Sequence, residues 1–415
     1  MTHPPAPASG WVPTDPEYKR ITVALFLAGL ATFALVYATQ PLLPLLADDF
    51  GVSPTTSTLT VSVTTVAMGA ALLIFGPLSD AVGRLTLMRV TLLVAALVAV
   101  ASAFAPGWVT LLVLRGVLGF AVAGLPAVAA AYLREEIAVT WATAATGLYI
   151  GGTAIGGMSG RLISGLVSDF FGWRAALGTL GVMALVIAVL LGVLLPPARR
   201  FVATPLHHRH LLDNARRMLF DRGLLTLYAV GFVSMGGFVA AFNGLAFRLV
   251  LPPFSLSVGI ASLVFVTYLL GSFSSPLAGR LAVRFGSRTV VPAAMLVFGL
   301  GVALTLIDHL AAVVAGVGLI TFGFFAAHGT TSGWVTARAA NKGRGTGLAG
   351  ALYLAFYYFG SSVFGAVAGT AWSAAGWPGV AALTGALVLV GFGLALSMRW
   401  VPPVPGRPFA LSPPG

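Results

Sequence analysis

The residues that could do chemistry in this chain are a few polar side chains set in long apolar stretches. Gln40 and Asn243 are the carboxamides placed there, 203 residues apart, and Arg115, Arg161 and Arg248 carry guanidinium groups. A carboxamide both donates and accepts hydrogen bonds, and an arginine pairs with anions. Together these groups favour binding of an anionic, zwitterionic or polar neutral solute over a permanent cation. The amides could equally link helices to each other.

The arginines have plainer interpretations, which the sequence leaves open. Arg248 could pair with lipid headgroups, and Arg161 could pair with Asp169. Arg115 falls within an apolar stretch, where an insertion cost of at least ~2.5 kcal/mol requires it to face a partner. It either takes part in coupling or ties backbone carbonyls together.

One imidazole could carry protons within the apolar stretches. His328 is the histidine in the middle of such a stretch, and an imidazole titrates near neutral pH. All eleven acidic residues lie at the termini, in predicted loops or at the ends of apolar stretches. We therefore name His328 and Arg115 as candidates for proton coupling, although a lone histidine can also be a simple hydrogen-bonding residue.

Tyrosines complete the candidate binding residues. Tyr37, Tyr149, Tyr353 and Tyr357 could line a cavity or pack in the core. Enzyme chemistry is not indicated, because the apolar stretches contain no HExxH, nucleophile elbow, phosphate loop or close acid pair. The chain has no cysteine, which excludes thiolate catalysis and cysteine-based metal sites. We predict no catalytic residue, no cofactor and no metal.

The elements that position these side chains must be membrane-spanning helices. Of 415 residues, 58% are hydrophobic and 8% are charged, whereas an ordinary soluble domain is about 25% charged. At ~20 apolar residues per span, twelve segments qualify. They lie near residues 21–43, 57–79, 86–104, 109–133, 142–166, 175–196, 223–248, 257–278, 289–307, 311–334, 346–370 and 379–398.

The charge distribution indicates the topology. The formal net charge is +12, from 23 basic and 11 acidic residues, and the basic residues cluster in alternate loops. Such clusters mark cytoplasmic loops, so both termini are predicted to be cytoplasmic. The excess positive charge is therefore explained without nucleic-acid binding.

The second half of the chain repeats the first. Leu148-Tyr149 lies 204 residues before Leu352-Tyr353, and Gly172-Trp173 lies 204 residues before Gly376-Trp377. We therefore predict an all-α membrane protein with twelve transmembrane helices in two pseudo-symmetric six-helix bundles. Its parts are a cytoplasmic tail (1–20), an N-terminal bundle (21–196), a cytoplasmic linker with an interfacial helix (197–222), a C-terminal bundle (223–398) and a second cytoplasmic tail (399–415).

The loop between the second and third spans carries the strongest local motif. Gly76, Asp80, Gly83 and Arg84 belong to the run G-P-L-S-D-A-V-G-R, which resembles the G-x-L-x-D-R-x-G-R-R loop of the major facilitator superfamily. The resemblance implies a gate on the cytoplasmic side. It also implies that Asp80 docks near the start of span eleven, around residues 345–347, when the transporter faces outward.

A second copy of this loop follows span eight. It departs from the first copy because Val283 replaces the acidic residue, so the two gates are expected to be unequal. The matching positions are Gly279, Arg284, Gly286 and Arg288.

Longer runs resemble one branch of this superfamily, the YnfM-like branch near the acriflavine-sensitivity and arabinose-efflux-permease groups. The runs are Y-A-T-Q-P-L-L-P from Tyr37, Gly151-Gly152 to Gly160-Arg161, G-F-F-A-A-H ending at His328, and Y-Y-F-G-S-S from Tyr357. The similarity covers nearly the whole chain after residue 20. It implies proton-driven export of small organic molecules by alternating access, in a bacterial inner membrane.

The expected partners are a small-molecule substrate, protons and the lipid bilayer, with the protein acting as a monomer. Uptake or facilitated diffusion of a sugar or an organic acid is the alternative on the same fold. A membrane receptor on a transporter scaffold is a more remote one.

Overall fold

The computed structural model describes residues 10–201, 208–343 and 345–402, and these parts of the chain are almost entirely helical. Within these described parts, ten helical segments are long and apolar enough to cross a membrane. They are Pro16–Val36, Pro54–Val82, Arg84–Ser102, Trp108–Glu136, Val139–Leu194, Arg222–Val250, Val258–Phe285, Ser287–Leu304, Leu310–Asn341 and Thr346–Trp400.

Two of these segments each contain two spans. Val139–Leu194 has 56 residues and Thr346–Trp400 has 55, although ~20 residues suffice to cross the bilayer core. The first is broken at Gly172, where φ is 76°, and the second at Ala375 and Gly376. The described residues therefore contain twelve spans, numbered here in chain order, and the predicted fold class is confirmed.

The first span is shorter than predicted. Its helix ends at Val36, residues 37–42 form turns, and a separate short helix covers Leu43–Asp49. Pro41 explains the break, because a proline lacks the N–H that a helix requires and disfavours helical backbone in the residue before it. Gln40 therefore lies on an irregular segment and not on a helix.

The two halves of the chain form similar bundles. Span 1 packs along span 5 in the first half, and span 7 packs along span 11 in the second. Glycines permit these close approaches, since a Cβ on Gly156 would overlap the backbone of Leu30 and one on Gly360 would overlap that of Phe232. Gly156 and Gly360 are 204 residues apart, so the close packing follows the sequence repeat.

A linker helix, His208–Leu219, connects the halves within the predicted linker segment. Its Met218 is fully buried against the second half, whereas Leu212 is exposed. Because twelve spans alternate in direction, the start of span 1, the end of span 12 and this linker helix lie at one end of the bundle, called here the terminal end. The other is called the opposite end.

Glycine packing gives a first testable prediction. Replacing Gly156 with Ala should lower thermal stability in detergent, because the new methyl group overlaps the Leu30 backbone. The matched control is Gly147→Ala, where a Cβ meets nothing within 4 Å. That variant should be neutral or slightly stabilised, since alanine is favoured over glycine in a helix by up to ~1 kcal/mol. Equal melting temperatures for the two variants would contradict this account.

Candidate functional site

Four predicted or neighbouring residues form a hydrogen-bonded chain through the interior. Arg161 Nε donates to Gln40 Oε1 at 2.6 Å, and Gln40 Nε2 donates to Asn243 Oδ1 at 2.8 Å. Asn243 Nδ2 then donates to the backbone oxygen of Gly365 at 3.0 Å. Arg161 is 2% exposed, and both amides are 0% exposed. This hydrogen-bonded chain joins spans 5, 7 and 11 and the turn that follows span 1.

The direction of every bond in this chain is fixed. An arginine can only donate and a backbone carbonyl can only accept, so the amides between Arg161 and Gly365 have one consistent orientation. Gln40 must turn its oxygen toward Arg161 and its amide nitrogen toward Asn243. Changing the group at one end therefore affects each bond that follows.

The hydrogen-bonded chain also pairs equivalent positions of the internal repeat. Gln40 and Asn243 are 203 residues apart, and Arg161 and Gly365 are 204 apart. Equivalent positions of the two halves thus meet at the bond between the amides. The ends differ, because the first half supplies a cation where the second supplies a neutral carbonyl.

Aromatic rings surround the Arg161 guanidinium. Its central carbon lies 4.2 Å from the ring centroid of Tyr37, 4.8 Å from that of Tyr268 and 5.1 Å from that of Phe265. Its Nη1 donates to the Gly157 backbone oxygen. In the described part of the chain no carboxylate forms an ion pair with Arg161, so its charge is balanced by π faces and neutral oxygens.

The second half carries a cluster of aromatic residues around His328. The Nδ1 atom of His328 lies 2.9 Å from the Tyr353 hydroxyl, and its ring is 4.7 Å from Tyr357 and stacked at 5.9 Å on Phe324. Phe324 is fully buried, whereas His328 is partly exposed. The predicted residues Tyr353 and Tyr357 thus share one site with His328.

Arg115 hydrogen-bonds to backbone carbonyls, which is one of the two arrangements that the sequence left open. It donates to the backbone oxygens of Leu35 at 3.1 Å, Val36 at 2.6 Å and Thr60 at 3.3 Å. Leu35 and Val36 are the last residues of the span 1 helix, whose terminal carbonyls lack helical partners. Arg115 therefore ties together backbone carbonyls where span 1 stops.

Arg248 has partners of its own. Its Nη2 lies 2.9 Å from an oxygen of Asp308, and its guanidinium carbon lies 4.8 Å from the ring of Trp377. The structure thus does not bring Arg115, Arg161 and Arg248 together as one positive surface. Nor does Arg161 pair with Asp169.

Tyr149 is placed away from the hydrogen-bonded chain. It is 6% exposed on span 5 and packs beside Gly29 of span 1. Tyr37, by contrast, lies directly against Arg161. The predicted binding tyrosines therefore fall into three places: beside Arg161, beside His328 and between spans 1 and 5.

At the terminal end, the predicted gating loop is bonded within its own half. Arg84 lies 3.0 Å from Asp80 and 2.7 Å from Glu135. Gly83 has a φ of 96°, which favours glycine and allows the tight turn. A Cβ on Gly76, Gly345 or Gly347 would meet nothing within 4 Å. Among the described residues, Asp80 forms its ion pair with Arg84 and none at the start of span 11 in this conformation.

The second loop copy has the same turn. Gly286 has a φ of 81°, and Arg288 donates to the Val401 oxygen at 2.7 Å. Arg284 lies over the ring of Phe285, and a Cβ on Gly279 would meet nothing within 4 Å. The loop thus keeps the glycine turn without the acid–arginine pair of the first copy.

At the opposite end the halves are in contact at two equivalent interfaces. A Cβ on Gly165 of span 5 would overlap Ser262 of span 8, and one on Gly369 of span 11 would overlap Thr55 of span 2. Asp169 accepts hydrogen bonds from the Ser257 hydroxyl at 2.6 Å and the Gly259 N–H at 3.0 Å. Sequence reasoning missed these contacts, although the 204-residue spacing of the two glycines was an available signal.

A cluster at the terminal end was also missed. Asp221 Oδ1 accepts from the Leu224 N–H at 3.0 Å and from Arg338 Nε at 2.9 Å, and Oδ2 accepts from Lys342. Burial raises the pKa of Asp221, but the hydrogen bonds from Lys342, Leu224 and Arg338 outweigh burial and hold the pKa well below its usual range. The cluster fixes the start of span 7 to the end of span 10.

Comparison with known proteins identifies the family. The model of the Major Facilitator Superfamily matches residues 25–250, and the chain belongs to this family. It is a multi-pass membrane transporter of small molecules. The predicted YnfM-like resemblance is confirmed by two relatives, described next.

Both relatives match over most of their length. The Inner membrane transport protein YnfM of Escherichia coli is 42% identical over 90% of this chain and 89% of its own. The Uncharacterized MFS-type transporter YybF of Bacillus subtilis is 41% identical over 92% of this chain and 93% of its own.

Solved structures share the fold at low sequence identity. A bacterial homolog of the human lysosomal transporter Spinster, inward-facing and unoccupied, has a TM-score of 0.71 and 16% identity, covering 93% of this chain and 96% of that one. The nucleoside transporter NupG has a TM-score of 0.73 and 13% identity, covering 92% and 99%.

The Asp221 cluster gives a second prediction. Asp221→Asn keeps a good helix cap but removes the charge that Arg338 and Lys342 require, so it should cost about 3 kcal/mol of stability at neutral pH. Because the folded pKa is lowered, the wild-type advantage exists above the usual carboxyl pKa and is lost only as pH falls through the lower folded value. Thermal unfolding in detergent from pH 8 to pH 5 measures the advantage, and the difference between the wild type and Asp221→Asn should stay constant over that range.

The control for this prediction is Asp49→Asn. Asp49 pairs with Arg174 at 3.1 Å, but both side chains are nearly half exposed. Its loss should cost less than ~1 kcal/mol. Equal losses for Asp221→Asn and Asp49→Asn would contradict the assigned role of the buried cluster.

Proposed function

We propose that this protein exports small anionic, zwitterionic or polar neutral organic molecules across a bacterial cytoplasmic membrane by alternating access coupled to protons. The observation that carries the proposal is Arg161. It is a buried cation with no carboxylate in an ion pair within the described residues, and it lies where the halves meet. Such a group is stabilised by an anion that a substrate can bring.

The basic residues in the loops support an orientation of the protein in the membrane. Arg84, Arg200, Arg222 and Arg288 lie at the terminal end, and such clusters of basic residues favour the cytoplasm. With the terminal end on the cytoplasmic side, contact between the halves at the opposite end and a gating loop whose ion pairs stay within its own half support an inward-facing conformation. We expect one chain to be the working unit.

The substrate contacts that we propose are on both halves. Arg161, Gln40 and Tyr37 come from the first half, and Asn243 comes from the second. Tyr353 and Tyr357 extend this surface along the aromatic cluster, with Tyr149 on the facing span 5. Arg248 is the weakest member of the proposed set because Asp308 already pairs with it.

Proton coupling in this proposal uses His328. Its bond to the Tyr353 hydroxyl holds one ring nitrogen, and its partial exposure allows a proton to reach the ring. The other candidate, Arg115, supports coupling by fixing the end of span 1. The two loop copies, with Asp80 in one and Val283 in the other, would close the terminal end in the outward-facing state.

Arg161 gives the transport test. In proteoliposomes with an imposed pH gradient, Arg161→Ala should lower transport of anionic candidate compounds at least tenfold, because a charge-assisted hydrogen bond to the substrate is worth roughly 1.5–3 kcal/mol. Cationic candidates should not show a matching loss. Arg174→Ala, which removes an exposed arginine, is the control. An unchanged anion rate in Arg161→Ala would refute the assignment, and the direction of the gradient response separates export from uptake.

His328 gives a separate test. His328→Asn should abolish the dependence of transport on the pH gradient while leaving substrate counterflow, because counterflow needs no net proton movement. Tyr353→Phe removes the hydroxyl partner and should shift the pH profile without abolishing coupling. A His328→Asn protein that still accumulates substrate in response to the gradient would exclude this proton carrier.

A further inference from the structure

The hydrogen bond between Gln40 and Asn243 joins the two halves of the protein. Its partners lie in different bundles, at equivalent positions of the repeat, and both are fully buried. Other described hydrogen bonds between the halves lie at the same end, where Asp169 accepts from Ser257 and Gly259 and Thr58 donates to the Ala366 oxygen at 3.5 Å. The amide bond is therefore part of what holds the opposite end shut.

Arg161 controls the orientation of this inter-half bond. Its Nε–H can only donate, so Gln40 must present its oxygen to Arg161 and its nitrogen to Asn243. Bonds in such a chain polarise one another, and the donor at the charged end strengthens those that follow. An acceptor stronger than the Gln40 oxygen would replace it in the hydrogen bond from Arg161 Nε.

A carboxylate is such an acceptor. Hydrogen bonds between a guanidinium and a carboxylate are about twice as strong as those between neutral groups, and a carboxylate binds two N–H groups at once. Arg161 Nη1 is already used by Gly157, so a bidentate carboxylate binds the edge formed by Nε and Nη2. It would therefore displace the Gln40 oxygen from Nε.

We propose that a substrate carboxylate, by displacing Gln40 from Arg161, releases the Gln40–Asn243 bond and unlocks the opposite end of the transporter. This inference rests on the proposed function, because it takes Arg161 as the anion site. Binding of an anionic substrate at Arg161 would then itself trigger the conformational change. Only the first half senses the ligand, since Gly365 replaces the arginine in the second half.

A Gln40→Glu variant tests the inference without an external ligand. It places a carboxylate permanently on Arg161 and removes the donor that Asn243 Oδ1 requires. Asn243→Ala breaks the same inter-half bond without adding a charge. Arg174→Gln is the matched control, because it alters a charge near the same end without touching a bond between halves.

The measurement is a distance between spin labels across the opposite end. The chain contains no cysteine, so Phe104→Cys and Ile307→Cys label two exposed positions, 78% and 52% accessible, in equivalent loops of the two halves. Gln40→Glu and Asn243→Ala should each move the ratio of long to short distances by roughly five- to tenfold, which corresponds to the loss of one buried hydrogen bond. Arg174→Gln should keep the wild-type distribution.

Each outcome is decisive. If Asn243→Ala opens the opposite end but Gln40→Glu leaves it closed, a carboxylate does not release the Gln40–Asn243 bond, and the inference is overturned. If the opposite end stays closed in both variants, the Gln40–Asn243 bond does not hold that end shut, and the inference is also overturned. Circular dichroism and a single symmetric gel-filtration peak verify that each variant is folded. Because distances are read without transport, failure here leaves the Arg161 transport test independent.

Discussion

A guanidinium removed from water must find acceptors or an anion, and much of the site follows from how Arg161 meets that requirement. It binds one carboxamide and one backbone carbonyl, and three aromatic rings cover its faces. These neighbours accept hydrogen bonds from its Nε and Nη1 but do not neutralise it. The unneutralised charge is the observation on which the proposed binding of an anion depends.

The internal repeat determines where this charge can act. Equivalent glycines bring spans 1 and 5, and spans 7 and 11, into close contact, and equivalent amides meet between the halves. The symmetry is broken by single residues: Arg161 against Gly365, and Asp80 against Val283. The two halves can therefore take different parts in the proposed transport cycle.

Much of the fold was predictable from the sequence, and the reasons are local. Twelve apolar segments identify the spans because lipid requires ~20 apolar residues in each. Gly172 and Gly376 lie at the ends of spans 5 and 11, where each has a positive φ that suits glycine. Pro41 could have predicted the early end of span 1, where only a continuous apolar run was considered.

The partners of the polar residues could not be predicted in the same way. Arg115, Arg161 and Arg248 look alike in the sequence, yet one binds the end of a helix, one binds an amide and one pairs with Asp308. The sequence alone determined that these groups are buried and scarce, because burial and scarcity follow from the composition and from the length of the apolar stretches. Only the tertiary structure decided what each one contacts, because Leu35, Val36, Gln40 and Asp308 are distant in the chain from the arginines that they bind and are brought close by helix packing.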